Sequence, residues 1–330
     1  MGDKMQSELR KKLLEAFTNS EQEYVSGQYL ADVMGCSRTA VWKHIEDLRK
    51  EGFELEAVRK KGYKILNLPK SISADRVQLG LKTEFIGKVI HYEETVDSTQ
   101  KIAHLLSHEG AVEGTVVIAE EQTGGRGRMD RAWHSPKSTG IWMSLILRPK
   151  IPIQRAPQLT LLTAVAIVQA IEETTTLTPQ IKWPNDILVE QQKVTGILTE
   201  LQADADRIIS VIIGMGLNIN QTEDDFPPEL RQIATSLRAK EGKELDRAEI
   251  IKVIFQKFET LYMLFLEKGF YPIKLLWESY AISVGKEITA RTLNGSISGK
   301  ALGITDEGVL KVEDALGEIH QIYSADIELH

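Results

Sequence analysis

Residues 124–133 read Gly-Gly-Arg-Gly-Arg-Met-Asp-Arg-Ala-Trp and follow an apolar run, Gly114 to Glu121; a second apolar run, Ile141 to Leu147, comes soon after. Three glycines and three arginines in ten positions give neither a helical stripe nor an alternating strand face, so the segment is expected to be a surface loop between two buried strands. Arg126, Arg128 and Arg131 are set among the glycines so that backbone and guanidinium forks can close on carboxylate and phosphate oxygens. Trp133 adds a flat face for a base or ring. With little to pack, the loop should stay mobile until an anionic ligand neutralises it, which makes it a candidate lid. About fifty residues on the chain reads Lys182-Trp183-Pro184-Asn185-Asp186, and few unrelated sequences carry both runs.

At 330 residues the chain exceeds a usual single domain, so two or three domains are expected. A net charge of -7 argues against a protein that coats nucleic acid nonspecifically, while leaving room for a local basic patch. The one cysteine, Cys36, excludes an intramolecular disulfide and any Cys-rich metal site, which suits a reducing compartment. The seven histidines show no paired metal spacing, so no metal-ligating set is assigned. Met1 to Lys12 is charged and unlike a signal peptide, and no apolar run approaches the roughly 20 residues of a membrane span. A cytoplasmic protein with no membrane partner is expected.

Residues 1–66 form a first unit. Leu9, Leu13, Leu14 and Phe17 recur at helical spacing, and a second short helix fits Gly27 to Met34. After Gly35-Cys36, Ser37 is the natural N-cap of a third helix over Arg38 to Glu51, with Val41, Ile45 and Leu48 inward. Two strands joined by the basic turn Arg59-Lys60-Lys61 follow. This order resembles a winged helix-turn-helix, whose third helix enters the major groove while the wing grips phosphates. The DNA-facing candidates are then Ser37, Arg38, Thr39, Lys43 and His44 on the third helix and Arg59, Lys60, Lys61 and Lys64 on the wing. Between Cys36 and Lys64 eight lysines and arginines face five acids, a modest excess. The competing reading is a small helical protein-interaction module with a solvated charged face. Residues 67–74 read as an exit linker.

Residues 75–282 mix strands and helices in sequence blocks, which favours an α+β sheet over a doubly wound one. Strands are expected at Val89 to Glu93, Gly114 to Glu121, Ile141 to Leu147, Ile181-Lys182, Ile187 to Glu190, Val194 to Leu201 and Ile208 to Gly214. Helices are expected over Ser98 to Ser107, over Ala156 to Glu173 as a long amphipathic one, near Arg247 to Leu266, and over Ile273 to Ala281. No Gly-x-Gly-x-x-Gly follows a strand and opens a helix, which leaves a dinucleotide fold unsupported. Residues 283–330 hold short alternating strands with turns at Asn294-Gly295 and Asp306-Glu307-Gly308, the pattern of a small β-barrel.

The loop, the Lys-Trp-Pro-Asn-Asp run and the three-domain order together resemble the bifunctional biotin protein ligases that also repress the biotin operon. The resemblance covers essentially the whole chain. It implies an α+β multidomain protein with a winged helix-turn-helix, a ligase domain built on a mixed sheet, and a C-terminal SH3-like barrel. Such enzymes join the carboxylate of biotin to the α-phosphate of ATP, release pyrophosphate, and pass the biotinyl group to a lysine of biotin carboxyl carrier protein. Repulsion and poor alignment of two anions make the first step slow, so positioning and positive charge are the catalytic needs.

The family match implies further roles, residue by residue. Arg126 would hold the biotin carboxylate, Arg128 and Arg131 the acyl-adenylate and phosphates, and Lys182 would bridge carboxylate and α-phosphate oxygens. Ser98 and Thr99 would bond the ureido ring, with Gln122 as a second polar contact. Gly196, Ile197 and Leu198 would lay backbone against the biotin ring, Trp142 would wall it, Trp133 would stack on adenine, and Asn218 would meet the nucleotide. Magnesium would ride mainly on the triphosphate with waters. Biotinyl-adenylate, by ordering the loop, would favour a homodimer that fixes two winged helices on a palindromic operator.

Some positions keep a second reading. Ser98 and Thr99 also suit helix capping after Asp97, Asn185 and Asp186 suit a turn after Pro184, and Trp183 suits the core. Two departures stand in the loop: Asp130 where many relatives have glycine, and Met129 where a further arginine often occurs. Alternatives for the whole chain are a ligase without operator binding, and a lipoate or octanoate ligase of related fold, whose Arg-Arg-x-x-Gly-Gly-Gly run is absent here.

Overall fold

The computed structural model describes residues 2–18, 20, 22–69, 71–292 and 295–330. It divides into two compact units, Met1–Lys82 and Thr83–His330.

The first unit opens with α1 (Gly2–Thr18), α2 (Gly27–Met34) and α3 (Arg38–Lys50). Ser26 caps α2 by accepting from the Tyr29 N–H, Gly35 closes it with φ 65°, and Ser37 caps α3 by accepting from the Ala40 N–H. Leu13, Leu14, Leu30, Ala31, Met34, Val41, Ile45 and Leu48 lie in its core, and of the apolar residues spaced along α1, Leu9 and Phe17 pack against it partly buried. The wing is the antiparallel pair β1 (Glu54–Val58) and β2 (Gly62–Asn67). Tyr63 exchanges two backbone hydrogen bonds with Val25 at 2.8 and 2.9 Å, which ties the wing to the entrance of α2. At Gly62, with φ 124°, a Cβ would lie 2.1 Å from the Val25 carbonyl oxygen, so only glycine fits.

Among the described residues of the expected exit linker, 67–74, those from Leu68 to Ser73 lie outside helices and strands and lead directly into a short helix. Ser73 accepts from the Arg76 N–H and starts α4 (Ala74–Gln78), Ile72 and Val77 are buried, and Leu68 and Leu79 pack on the winged-helix core. Arg10 on α1 binds Glu51, at the end of α3, and Asp75 on α4. The first compact unit thus extends past the winged helix to Lys82.

The second unit is built on a seven-stranded mixed sheet. Its strands are β3 (Ile90–Val96), β4 (Val116–Gln122), β5 (Ile141–Leu147), β6 (Gln180–Lys182), β7 (Asp186–Val189), β8 (Gln192–Asp204) and β9 (Arg207–Leu217), in the order β3-β4-β5-β9-β8-β7-β6. Only the β3–β4 pair is parallel. Between β3 and β4, α5 (Thr99–His108) packs Ala103 on Val117, Ile146 and Ile212. Four helices complete the set: α6 (Gln158–Thr174), α7 (Leu237–Glu241), α8 (Arg247–Lys268) and α9 (Tyr271–Tyr280). The expected amphipathic helix, α6, has 12 of its 17 residues buried, so it is a central helix, enclosed by α8, α9 and the sheet. Helices α4 and α7, of five residues each, escaped sequence reading because they are too short to show a period.

The chain ends in β10 (Glu287–Thr292), β11 (Gly295–Ile304), β12 (Leu310–Glu313), β13 (Ile319–Ile322) and β14 (Asp326–Leu329), an antiparallel sheet ordered β13-β12-β11-β10-β14. Strand β14 was not expected. At the expected Asn294-Gly295 turn, Asn294 lies outside the described residues.

Two ionic features carry the energetics. Arg247, at the first turn of α8, binds both oxygens of Glu120 at 2.7 and 3.3 Å and the Gly140 carbonyl at 3.0 Å, all buried. Truncating one member of such a pair leaves a buried charge, so Glu120→Ala should cost roughly 3–5 kcal/mol in urea unfolding. In the β12–β13 turn, His320 lies 2.7 Å from Asp314, whose second oxygen accepts the N–H groups of Leu316 and Glu318. The hydrogen bond to Asp314 raises the His320 pKa. That stabilisation is fully present below the unfolded imidazole value of about 6.5 and is lost as pH rises through the higher folded value. An NMR titration should place His320 above the ordinary range, and Asp314→Ala should bring it back.

Candidate active site

The face of the sheet that α5 covers changes character along the strands. Ile146 and Ile212 bury against the helix, but two residues on, the cross-strand pair Ser144 and Gly214 takes their place. Two further on, Gly216 stands beside Gly196 of β8. Side chains shrink to almost nothing along this row, and a cavity of about 510 Å³ opens there.

One end of the cavity offers neutral hydrogen-bonding groups. Gln122 Oε1 accepts from the Thr99 N–H and hydroxyl at 2.9 and 3.1 Å. Its amide donates to Ser135 at 3.0 Å, and the hydroxyls of Thr99 and Ser144 lie 2.9 Å apart. Ser144 donates to Gln100 at 2.8 Å. Ser98 occupies the N-cap position of α5 but makes no side-chain capping bond, so the capping role is not where its hydroxyl is spent.

The other end is cationic. Lys182, at the end of β6, lines the cavity, and its ammonium forms no hydrogen bond or salt bridge among the described residues. Asn185 holds the loop to the sheet: its side-chain oxygen accepts from Arg128 at 3.1 Å and its amide donates to the Ile197 carbonyl at 2.9 Å. Both it and Asp186 line the cavity, Asp186 being 2.6 Å from Lys193. Asn218 also lines it and accepts from the Gln221 amide at 3.1 Å.

The arginine-rich segment is folded over the cavity as a small hairpin. Gly127 donates to the Arg131 carbonyl at 2.8 Å and Trp133 to the Gly125 carbonyl at 2.9 Å. At Gly124 a Cβ would meet the Asp97 carboxylate oxygen at 1.9 Å, so a side chain there would push that carboxylate aside. Met129 and Asp130 both have φ 55°, and Asp130 thus takes the left-handed conformation that glycine takes most readily. Its carboxylate lies 3.5 Å from Arg126.

The C-terminal sheet supplies partners that the sequence reading missed. Arg128 donates to Ser324 at 2.7 Å, and Arg131 binds Asp326 of β14. The hydrogen bond from Arg131 holds the Asp326 carboxyl below the usual range, and partial burial lowers the Arg128 pKa. Lys193, His134, Phe226 and Ile233 also line the cavity unannounced by any motif.

Of the expected ligand contacts, Ser98, Thr99, Gln122, Arg126, Arg128, Arg131, Trp133, Lys182, Gly196, Ile197, Leu198 and Asn218 line this one cavity. Trp142 does not. Its ring is fully buried, folded against Gly140, where a Cβ would lie 2.2 Å from it, and its N–H donates to Pro136 at 3.3 Å. Trp183 is a core residue, bonded through its indole to the Gly308 carbonyl at 3.3 Å.

On the first unit, Arg38, Thr39, Lys43, Arg59, Lys60 and Lys61 are exposed and His44 is half-buried. Ser37 spends its hydroxyl oxygen on the cap of α3. Lys64 is not a free cation, since it binds Glu23 at 2.9 Å and lies over the Tyr24 ring. Trp42, missed in the sequence, is 54% exposed beside Lys43.

The Arg131–Asp326 contact is exposed, and pairs of that kind contribute at most about 1 kcal/mol, so Asp326→Asn should speed tryptic cleavage after Arg131 by no more than about fivefold. High salt should bring the wild type close to the variant.

Comparison with known proteins agrees with this geometry. Residues 92–218 match the Biotin/lipoate A/B protein ligase family, residues 9–64 the HTH domain family, and residues 284–330 the Biotin protein ligase C terminal domain. The chain is 57% identical over 325 residues to the bifunctional ligase/repressor BirA of Bacillus subtilis, covering 98% of this chain and 100% of the relative. With BirA of Escherichia coli it shares 27% identity, covering 92% and 91%. A biotin protein ligase from Aquifex aeolicus, solved in complex with biotin and ATP, superposes with a TM-score of 0.64 at 32% identity over 74% of this chain and 99% of that one. On the strength of near-full-length identity, three matched domains and the shared fold, the chain belongs to the family of bifunctional biotin protein ligases and repressors.

Proposed function

We propose that this chain makes biotinyl-5'-AMP from biotin and ATP, transfers the biotinyl group to a lysine of biotin carboxyl carrier protein, and represses biotin genes with the adenylate as corepressor. One observation carries the ligase reading: a single cavity joins a neutral end, Thr99, Gln122 and Ser144, to a cationic end where the Lys182 ammonium has no hydrogen bond or ion pair among the described residues. A urea fits the first and two meeting anions fit the second. Ser98, Thr99 and Gln122 hold the ureido group, and Arg126 the carboxylate. A carboxylate oxygen attacks the α-phosphorus, the bond to the bridging oxygen breaks, and pyrophosphate leaves with the electron pair. Lys182 and Arg128 neutralise charge on the oxygens that gather it, Arg131 guards the phosphates, and Trp133 and Asn218 meet the adenosine. In the second step the carrier lysine, as the free amine, attacks the acyl carbon and AMP leaves.

Magnesium enters as part of the MgATP substrate. The acids that line the cavity, Asp186 and Asp326, are already paired with Lys193 and Arg131, so the chain offers the ion little beyond the triphosphate's own oxygens.

The repressor half rests on the exposed Arg38, Thr39, Lys43, Arg59, Lys60 and Lys61 of the winged helix. Adenylate that orders the loop promotes a homodimer, which sets two winged helices at half-site spacing on a palindrome. The protein acts in the cytosol, where ATP is available; no described helix is long and apolar enough to cross a membrane.

ATP/pyrophosphate exchange should require biotin, and Lys182→Ala or Arg128→Gly should lower its kcat by about 10²- to 10³-fold, as for loss of one preorganised donor. Exchange with lipoate or octanoate in place of biotin would move the chain to a different acid. A gel shift that appears only with biotin and ATP present together, and weakens steeply with salt, is the expected result for the operator.

A further inference from the structure

Gly196 and Gly216 are direct cross-strand partners, and the indole of Trp133 lies across both. A Cβ at Gly216 would sit 2.4 Å from Trp133 Nε1 and 2.6 Å from Cε2; at Gly196 it would sit 2.9 Å from Cζ3. Neither contact is with backbone, and both are with the same ring. Two adjacent strands thus give up their side chains at one spot, and what fills the gap is the last residue of the arginine-rich loop. The ammonium of Lys193 lies 5.2 Å from the ring centroid, and the indole N–H is buried without an acceptor.

We infer that the Gly196–Gly216 pair is the seat on which the loop closes. The two glycines are positioning residues that act through Trp133. This departs from the expectation that Gly196 serves by bringing backbone against a ligand ring, because the indole covers that backbone. The seat explains how a segment with so little to pack is held over the cavity: one large flat side chain is driven onto a flat, side-chain-free patch, and the guanidinium groups before it are carried into place. The unsatisfied indole N–H leaves one donor open for an acceptor on the occupant, so a bound ligand tightens the same contact.

The inference rests on reading the loop as the lid of the adenylate site, and its test works without ligand. Trypsin cleaves after Arg126, Arg128 and Arg131, and mass spectrometry reads each cut. Gly216→Ala pushes a methyl into the ring position, so cleavage of the full chain should rise about tenfold or more, the size expected for overpacking a closed contact. In a Trp133→Ala background, where the loop is already released, adding Gly216→Ala should change the cleavage rate by less than about twofold, since there is no ring left to displace. Gly214→Ala is the control for damage to the strand, because a Cβ there meets Gln100 and not the indole; its loop should stay protected. In biotin-dependent exchange, Gly216→Ala should raise KM for ATP more than it lowers kcat.

Equal acceleration by Gly216→Ala in both backgrounds, or none in either, would overturn the seat. Loop exposure in Gly214→Ala equal to that in Gly216→Ala would also overturn it. Absence of any biotin-dependent exchange in the wild type would remove the ligase reading while leaving the cleavage cycle to decide on the seat.

Discussion

Everything at the site hangs on the register of three antiparallel strands. Because β5, β9 and β8 pair without a slip from Ile141 to Leu147 and from Thr195 to Leu201, Ser144, Gly214, Gly216 and Gly196 fall in neighbouring places on one face. Side chains alternate with a period of two, so a shift of one residue would send this whole row to the other face. The apolar residues that lock the register, Ile146, Ile212 and their neighbours under α5, are therefore what opens the cavity a few ångströms away. Core packing and substrate volume are set by the same hydrogen-bond ladder.

Charge is arranged against the grain of the composition. The chain is net negative, yet its cavity gathers Arg126, Arg128, Arg131, Lys182 and Lys193. Four of these are matched by internal partners, Asp130, Asn185 with Ser324, Asp326 and Asp186, while the Lys182 ammonium has no hydrogen bond or ion pair among the described residues and acts only through space on Asp326. Substrate anions meet Lys182 and Arg128 without a carboxylate hydrogen-bonded to either, and Arg126, Arg131 and Lys193 in competition with one. The loop can thus be folded over the cavity without its own positive charges driving it away.

The sequence was legible where the chemistry is written in a short stretch. The Gly-Arg loop, the Lys182 motif and the helix order of the winged unit all rest on local pattern, and their elements lie within a few residues of the expected places. It was illegible where distant segments meet. Arg131 and Asp326 are 195 residues apart, and no local property of β14 marks it as a partner of the loop. Trp142 was misplaced for a different reason: its strand does belong to the site face, but the rotamer turns its ring along Gly140 and away from the cavity. Lys64 was read as a free contact because charge counting cannot see Glu23; Ser37 was read both as the cap of α3 and as a DNA contact, and the structure shows the cap.

The seam at residues 82 and 83 bears on how such a chain can be taken apart. Leu68 and Leu79 belong to the winged-helix core, so a cut at residue 66 would strip apolar cover from the regulatory half. Just past the seam, Glu259 accepts the N–H groups of Glu84, Phe85 and Ile86 at 2.6, 3.0 and 2.9 Å and so ties down the first turn of the catalytic half with its own carboxylate. Each half is finished where the other begins, which makes this seam, and not the loop-like stretch before it, the joint at which a gene could exchange one regulator for another.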